Sequence, residues 1–90
     1  MKVENMTSSR GNAIANQFII TDDNGNEYFQ SYDSIIAKKL YDRNSIVLDK
    51  RFWDYSKTTG TYRNLFLGET KKETQKKIDS GEYILTNLND

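Results

Sequence analysis

The dipeptide Asn24-Gly25 stands between two runs of β-forming residues and constrains the fold more than any other feature of the chain. Upstream lies Ala13-Ile14-Ala15-Asn16-Gln17-Phe18-Ile19-Ile20-Thr21, rich in β-branched and aromatic side chains. Downstream lies Glu27-Tyr28-Phe29-Gln30-Ser31-Tyr32. Asn and Gly both tolerate positive φ, as a type I′ turn requires, so the pattern predicts a β-hairpin.

The remaining elements are assigned around that hairpin. Residues 33–41 have two readings. Ile36 with Leu40 and Ile35 with Lys39 have helical spacing, and Asp33 could cap a helix. Alternatively they form a strand, turned by Asp42-Arg43-Asn44 onto a strand at 45–49, and a meander of adjacent strands favours this second reading. Residues 50–57 read as a short aromatic-basic strand ending in a loop. A short helix capped by Thr58 or Thr59 is expected to reach Leu67, with Tyr62, Leu65 and Phe66 on one face. Thr70-Lys71-Lys72-Glu73 fits a capping box, and Gly81 suits the left-handed position that ends such a helix. A last strand is expected at 82–86, and residues 1–12 are expected to be a lead-in.

The predicted order is β-β-β-β-α-α-β. This is an α+β fold: a mostly antiparallel sheet of four to five strands, with one or two helices from the C-terminal half on one face. Ninety residues without an internal linker make one domain, 1–90.

Composition narrows the chemistry. The chain has no cysteine and no histidine, which removes the usual thiolate and imidazole ligands and nucleophiles. Its five glycines are scattered rather than gathered in a phosphate-cradling loop. No cofactor is expected. Carboxylate chemistry would have to use Asp22-Asp23, Asp49 with Asp54, or Glu69 with Glu73, and solvated turn and helix charges explain those pairs better. The first residues lack an apolar signal core and no apolar run exceeds three residues, as in Phe18-Ile19-Ile20, so a cytoplasmic protein is expected.

Lysine plus arginine balance aspartate plus glutamate at 13 each, but the charges are unevenly placed. Residues 38–77 hold eleven basic against five acidic side chains, and acidic residues dominate both flanks. Basic and aromatic residues interleave at Lys50-Arg51-Phe52-Trp53-Asp54-Tyr55-Ser56-Lys57. Three uses compete for this stretch: the aromatics build the core, the patch binds single-stranded nucleic acid, or it is a protein-binding hot spot. Zero net charge favours protein over nucleic acid. The expected contact residues are Arg51, Trp53, Tyr55, Lys57, Tyr62 and Arg63, and the exposure of Trp53 and Tyr55 decides among the readings. Thr58-Thr59-Gly60-Thr61 beside Arg63 is a further spot where a helix start could favour an anion, or where the threonines simply cap the helix.

Several stretches carry a family resemblance. They are Gly11-Asn12 with Asn16-Gln17-Phe18-Ile19-Ile20, Tyr28-Phe29-Gln30-Ser31-Tyr32 with Ile36-Ala37, Trp53-Asp54-Tyr55-Ser56, Thr58-Thr59, Tyr62-Arg63 and Phe66-Leu67. Across residues 11–67 the chain resembles small uncharacterised proteins encoded by bacteriophages and conjugative elements. Many of those have a histidine at or beside the position of Tyr62, and any chemistry it brings is missing here. The resemblance implies a context rather than an activity: an accessory protein that binds a host or phage protein, as an anti-CRISPR-like or host-takeover inhibitor does.

Overall fold

The computed structural model describes residues 1–41 and 45–89, so the expected turn at Asp42-Arg43-Asn44 lies outside the described residues. The elements run β1 (Lys2–Thr7), β2 (Ala13–Thr21), β3 (Glu27–Ser31), β4 (Ser34–Lys39), β5 (Ile46–Asp49), α1 (Lys57–Leu67), α2 (Lys71–Asp79) and β6 (Ile84–Thr86). They form an α+β fold whose six-stranded sheet has the order β1-β2-β3-β4-β5-β6. The first five strands are an antiparallel meander and β6 returns parallel to β5. A parallel return needs a long crossover, which the two helices supply.

The predicted hairpin is β2–β3, in register from Thr21↔Glu27 to Gln17↔Ser31. Its turn is not type I′, because within it only Gly25 takes a positive φ, of 85°. The Asp22 carboxylate accepts the backbone N–H groups of Asn24 and Asn26 at 2.9 and 3.0 Å, and the amide of Gly25 donates to the Asp22 carbonyl at 3.0 Å. This Asx-type bonding favours a longer turn closed by a left-handed glycine. Of residues 33–41, Ser34–Lys39 form strand β4, as the meander argument favoured.

Three further expectations need correction. The sheet has six strands rather than four to five because residues 2–7, read as part of a lead-in, pair along β2 as an edge strand. Their polar side chains hide this from a pattern search, since ladder bonds use the backbone. Residues 50–54 form turns rather than a strand. Finally, α1 is capped by Ser56, whose Oγ accepts the Thr59 amide at 3.1 Å; Thr58 and Thr59 lie inside the helix. The Thr70–Glu73 capping box forms as predicted, and Gly81 follows α2 at φ 84°.

The core is small: Phe29, Ile36, Ala37, Ile46, Leu48 and Tyr83 are buried. A bulge lets Ile36 and Ala37 both be buried although they are adjacent, since the register steps from Phe29↔Ala37 to Gln30↔Ile35. Tyr62, Phe66 and Leu67 of α1 and Ile78 of α2 pack against this cluster. The Phe66 ring stacks on Phe29 at 5.9 Å.

Two glycines should respond oppositely to alanine. At Gly25 a Cβ would sit 2.9 Å from the Tyr41 ring in a left-handed backbone, so Gly25→Ala should cost about 1–2 kcal/mol. At Gly60, inside α1, a Cβ would meet the Arg63 guanidinium at an ordinary 3.6 Å. Gly60→Ala should therefore add about 0.4–1 kcal/mol. Urea unfolding of both variants measures the two signs.

Candidate functional site

The segment after β5 is organised by Asp49, which is 1% exposed. One carboxylate oxygen accepts the amides of Arg51 and Phe52 at 3.0 and 2.8 Å. The other accepts the Leu88 amide at 2.8 Å and the Asn89 side chain at 2.9 Å. Burial alone would raise the Asp49 pKa, but these four bonds favour the anion and hold it below the usual carboxylate value. The turn they impose carries the chain from the sheet into α1 and sets where the next rings point.

Those rings divide between core and surface. Trp53 and Tyr62 are half-buried and pack against the core cluster. Tyr55 is 64% exposed and meets Phe52 edge-on at 5.5 Å, while the Arg51 guanidinium lies 5.9 Å from the Phe52 ring. Arg51 and Lys57 are exposed.

Arg63, expected on the contact surface, is 1% exposed. It donates to the Trp53 carbonyl at 2.6 Å and to Asn64 at 3.1 Å, and pairs with Asp54 at 3.4 Å while lying over the Trp53 ring. A charge at that depth requires such partners, and they fasten α1 to the turn before it. The predicted set therefore separates: Arg51, Tyr55 and Lys57 face solvent, Trp53 and Tyr62 bury one side, and Arg63 braces the interior.

Beside Tyr55 opens a cleft of about 840 Å³ lined by Asn16, Ser31, Tyr32, Asp33, Ser34, Tyr55, Ser56 and Thr58. Tyr32, at the β3–β4 turn, is 51% exposed and has φ 58°. A bulky residue in the left-handed region is an outlier, costing on the order of 1–2 kcal/mol. Its amide donates to the Asn16 carbonyl at 2.7 Å, and Asn16 is itself left-handed at φ 64°. Behind the cleft, Ser31 and Thr59 share a buried hydrogen bond of 2.9 Å that ties β3 to α1. Gln17, opposite Ser31 on β2, is fully buried with neither side-chain amide atom hydrogen-bonded among the described residues.

Sequence reading missed Tyr32, because it takes its meaning from the backbone strain and from Tyr55, 23 positions away in the chain. Most of the other carboxylates weighed for chemistry form hydrogen bonds or ion pairs within the fold. Asp22 bonds its own turn and Tyr28, Asp54 pairs with Lys71 at 2.8 Å, and Glu73 completes its capping box. Glu69 accepts from Thr74, Lys77 and Tyr83. Among the described residues no cluster of three or more metal-ligating side chains occurs, and no helix is long and apolar enough to cross a membrane.

These features define a small α+β protein whose concave surface is bordered by two exposed tyrosines. The chain belongs to the Family of unknown function (DUF8033), whose model matches residues 1–82. No curated protein matches the chain, and no solved structure matches it.

Two substitutions test this description. The Asp49 pKa is lower folded than unfolded, so its stabilisation is complete above the unfolded value of about 3.9 and is lost as pH falls through the folded value. Asp49→Asn should cost about 2 kcal/mol or more at pH 7 and flatten the loss of stability between pH 5 and 2, read by urea unfolding across pH. Gln17→Met keeps the volume and removes the unpaired amide, and should raise the urea midpoint by the equivalent of about 1 kcal/mol.

Proposed function

We propose that the protein is a non-catalytic binding protein that holds a segment of another protein in the Tyr32–Tyr55 cleft, with Arg51 and Lys57 nearby. The observation that carries this reading is the cleft's make-up: two exposed tyrosines among serine, threonine and asparagine. The same mixture serves antibody paratopes, where rigid amphipathic rings supply contact area and small polar groups adapt their hydrogen bonds. Strain at Tyr32 adds support, since strained backbone persists where a side chain's position is useful. The resemblance to mobile-element proteins supports a bacterial host protein as partner, contacted in the cytoplasm, with host takeover or anti-defence inhibition as the outcome.

Nucleic acid is the competing reading, and the geometry favours it less. Arg63 is withdrawn from the surface and Trp53 and Tyr62 each use a face on the core, so fewer rings remain free to stack on bases.

Affinity capture from host lysate tests the proposal. Proteins retained by the wild type should be lost by about tenfold or more with Tyr55→Ala and with Tyr32→Gly, yet kept by Leu65→Ala, an exposed site on α1. Tyr32→Gly should also raise thermal stability by relieving the positive φ, so loss of capture could not be blamed on unfolding. Equal capture by all forms would refute the cleft. Binding of single-stranded oligonucleotides that collapses between about 50 and 200 mM salt would favour the nucleic-acid reading.

A further inference from the structure

The sheet has a second face. Register places Val3, Ile20, Tyr28, Lys38, Val47 and Ile84 side by side, one from each of the six strands. The neighbouring row Glu4, Ile19, Phe29, Ala37, Leu48 and Leu85 contains the core residues beneath the helices. Strand alternation therefore points the Val3–Ile84 row the other way. None of its apolar residues is among those packed against the core cluster. Val3 and Ile84 are 60% and 61% exposed, and Phe18 and Ile35 add to the same face.

An antiparallel sheet with one wet face normally alternates apolar inward and polar outward. Here both faces are apolar, the pattern of strands covered on both sides.

The row is self-complementary. A two-fold axis parallel to the strands, between β3 and β4, would lay a second copy's row over the first in reverse order. Val3 then faces Ile84, Ile20 faces Val47, and Tyr28 faces Lys38, each contact occurring twice as an isologous interface requires. Lys38 already lies 5.3 Å from the Tyr28 ring of its own chain, and the Tyr28 hydroxyl donates to the Asp22 carboxylate at 3.2 Å. A lysine from a second copy would thus meet a ring with an acid at its tip, while its aliphatic stem covers apolar surface.

We propose that a second copy of this chain covers the sheet face, forming a two-fold sandwich of sheets about 10 Å apart. Six strands span about 24 Å, and the strands run from three residues in β6 and four in β5 to five or more in the others, about 10 to 17 Å or more, a modest footprint that suits a reversible dimer rather than an obligate one. The cleft lies at the α1 side, so this pairing neither needs nor blocks the binding proposed there.

Sedimentation equilibrium of the full chain from about 1 to about 500 µM is the test, since weak pairs need the upper range. The weight-average mass should rise from 10.5 kDa toward twice that value. Ile20→Glu and Val47→Glu should each weaken pairing at least about 30-fold, and Lys38→Glu about tenfold, whereas Leu65→Glu and Tyr32→Gly should leave it unchanged. Lys38→Glu decides the matter if circular dichroism shows that the other two face variants misfold. A wild type that stays monomeric throughout overturns the proposal. So does a dimer indifferent to the face variants, which would be using another surface such as the β1 edge.

Discussion

One buried carboxylate, that of Asp49, holds together the end of the meander, the turn into α1 and the segment after β6. Next to it the Asn89 side chain donates to the Ile35 carbonyl and accepts the Ile35 amide, an extra pair of bonds to β4. An ionised acid inside a protein is costly unless fully hydrogen-bonded, and when it is, it enforces a single arrangement of its donors. Without that arrangement the strand-to-helix turn would lose its geometry, and Tyr55 its place beside Tyr32.

The same economy governs the sheet. Six buried apolar side chains among the described residues make a thin core, and the two helices cover one face only. The chain stiffens this layer with polar ties: Ser31 to Thr59, Arg63 to Trp53 and Asp54, and Glu69 to Lys77 and Tyr83. In the last group burial would raise the Glu69 pKa, but bonds from Lys77, Thr74 and Tyr83 lower it. The bond to Glu69 raises that of Lys77, and burial together with the same acid raises that of Tyr83. Each partner thereby keeps the protonation state the cluster needs. Little apolar material is spent on the interior, and much of the remainder lies on the uncovered face and at the cleft.

Legibility followed the range of the interactions. The capping box at Thr70 and Glu73, the stop at Gly81 and the hairpin around Gly25 involve residues a few positions apart, so their chemistry can be read in order along the chain. Strand β4 was favoured by connectivity rather than composition. Strand β1 escaped notice because its pairing is made by backbone groups. The 50–54 turns resembled a strand because Phe52 and Trp53 have strand-like composition, while their conformation is imposed by donors converging on Asp49. Of the expected contact residues, Arg51, Tyr55 and Lys57 reached the surface, and Arg63 was drawn inside by Trp53, Asp54 and Asn64. A positive charge looks the same in a sequence whether water or a carbonyl will surround it.

The apolar doublets Ile19-Ile20, Tyr28-Phe29 and Val47-Leu48 put one apolar side chain on each side of their strands, a consequence that became legible only with the register. By itself the sequence determined the fold class, the helix boundaries around α2, the hairpin, and the exclusion of thiol and imidazole chemistry, because these depend on local propensity and on which side chains exist. Only the tertiary structure decided which member of each doublet met the helices, which arginine was buried, and that two distant tyrosines share one cleft. Those outcomes depend on register and on long-range hydrogen bonds, and a one-residue shift in pairing would exchange the two faces of the sheet.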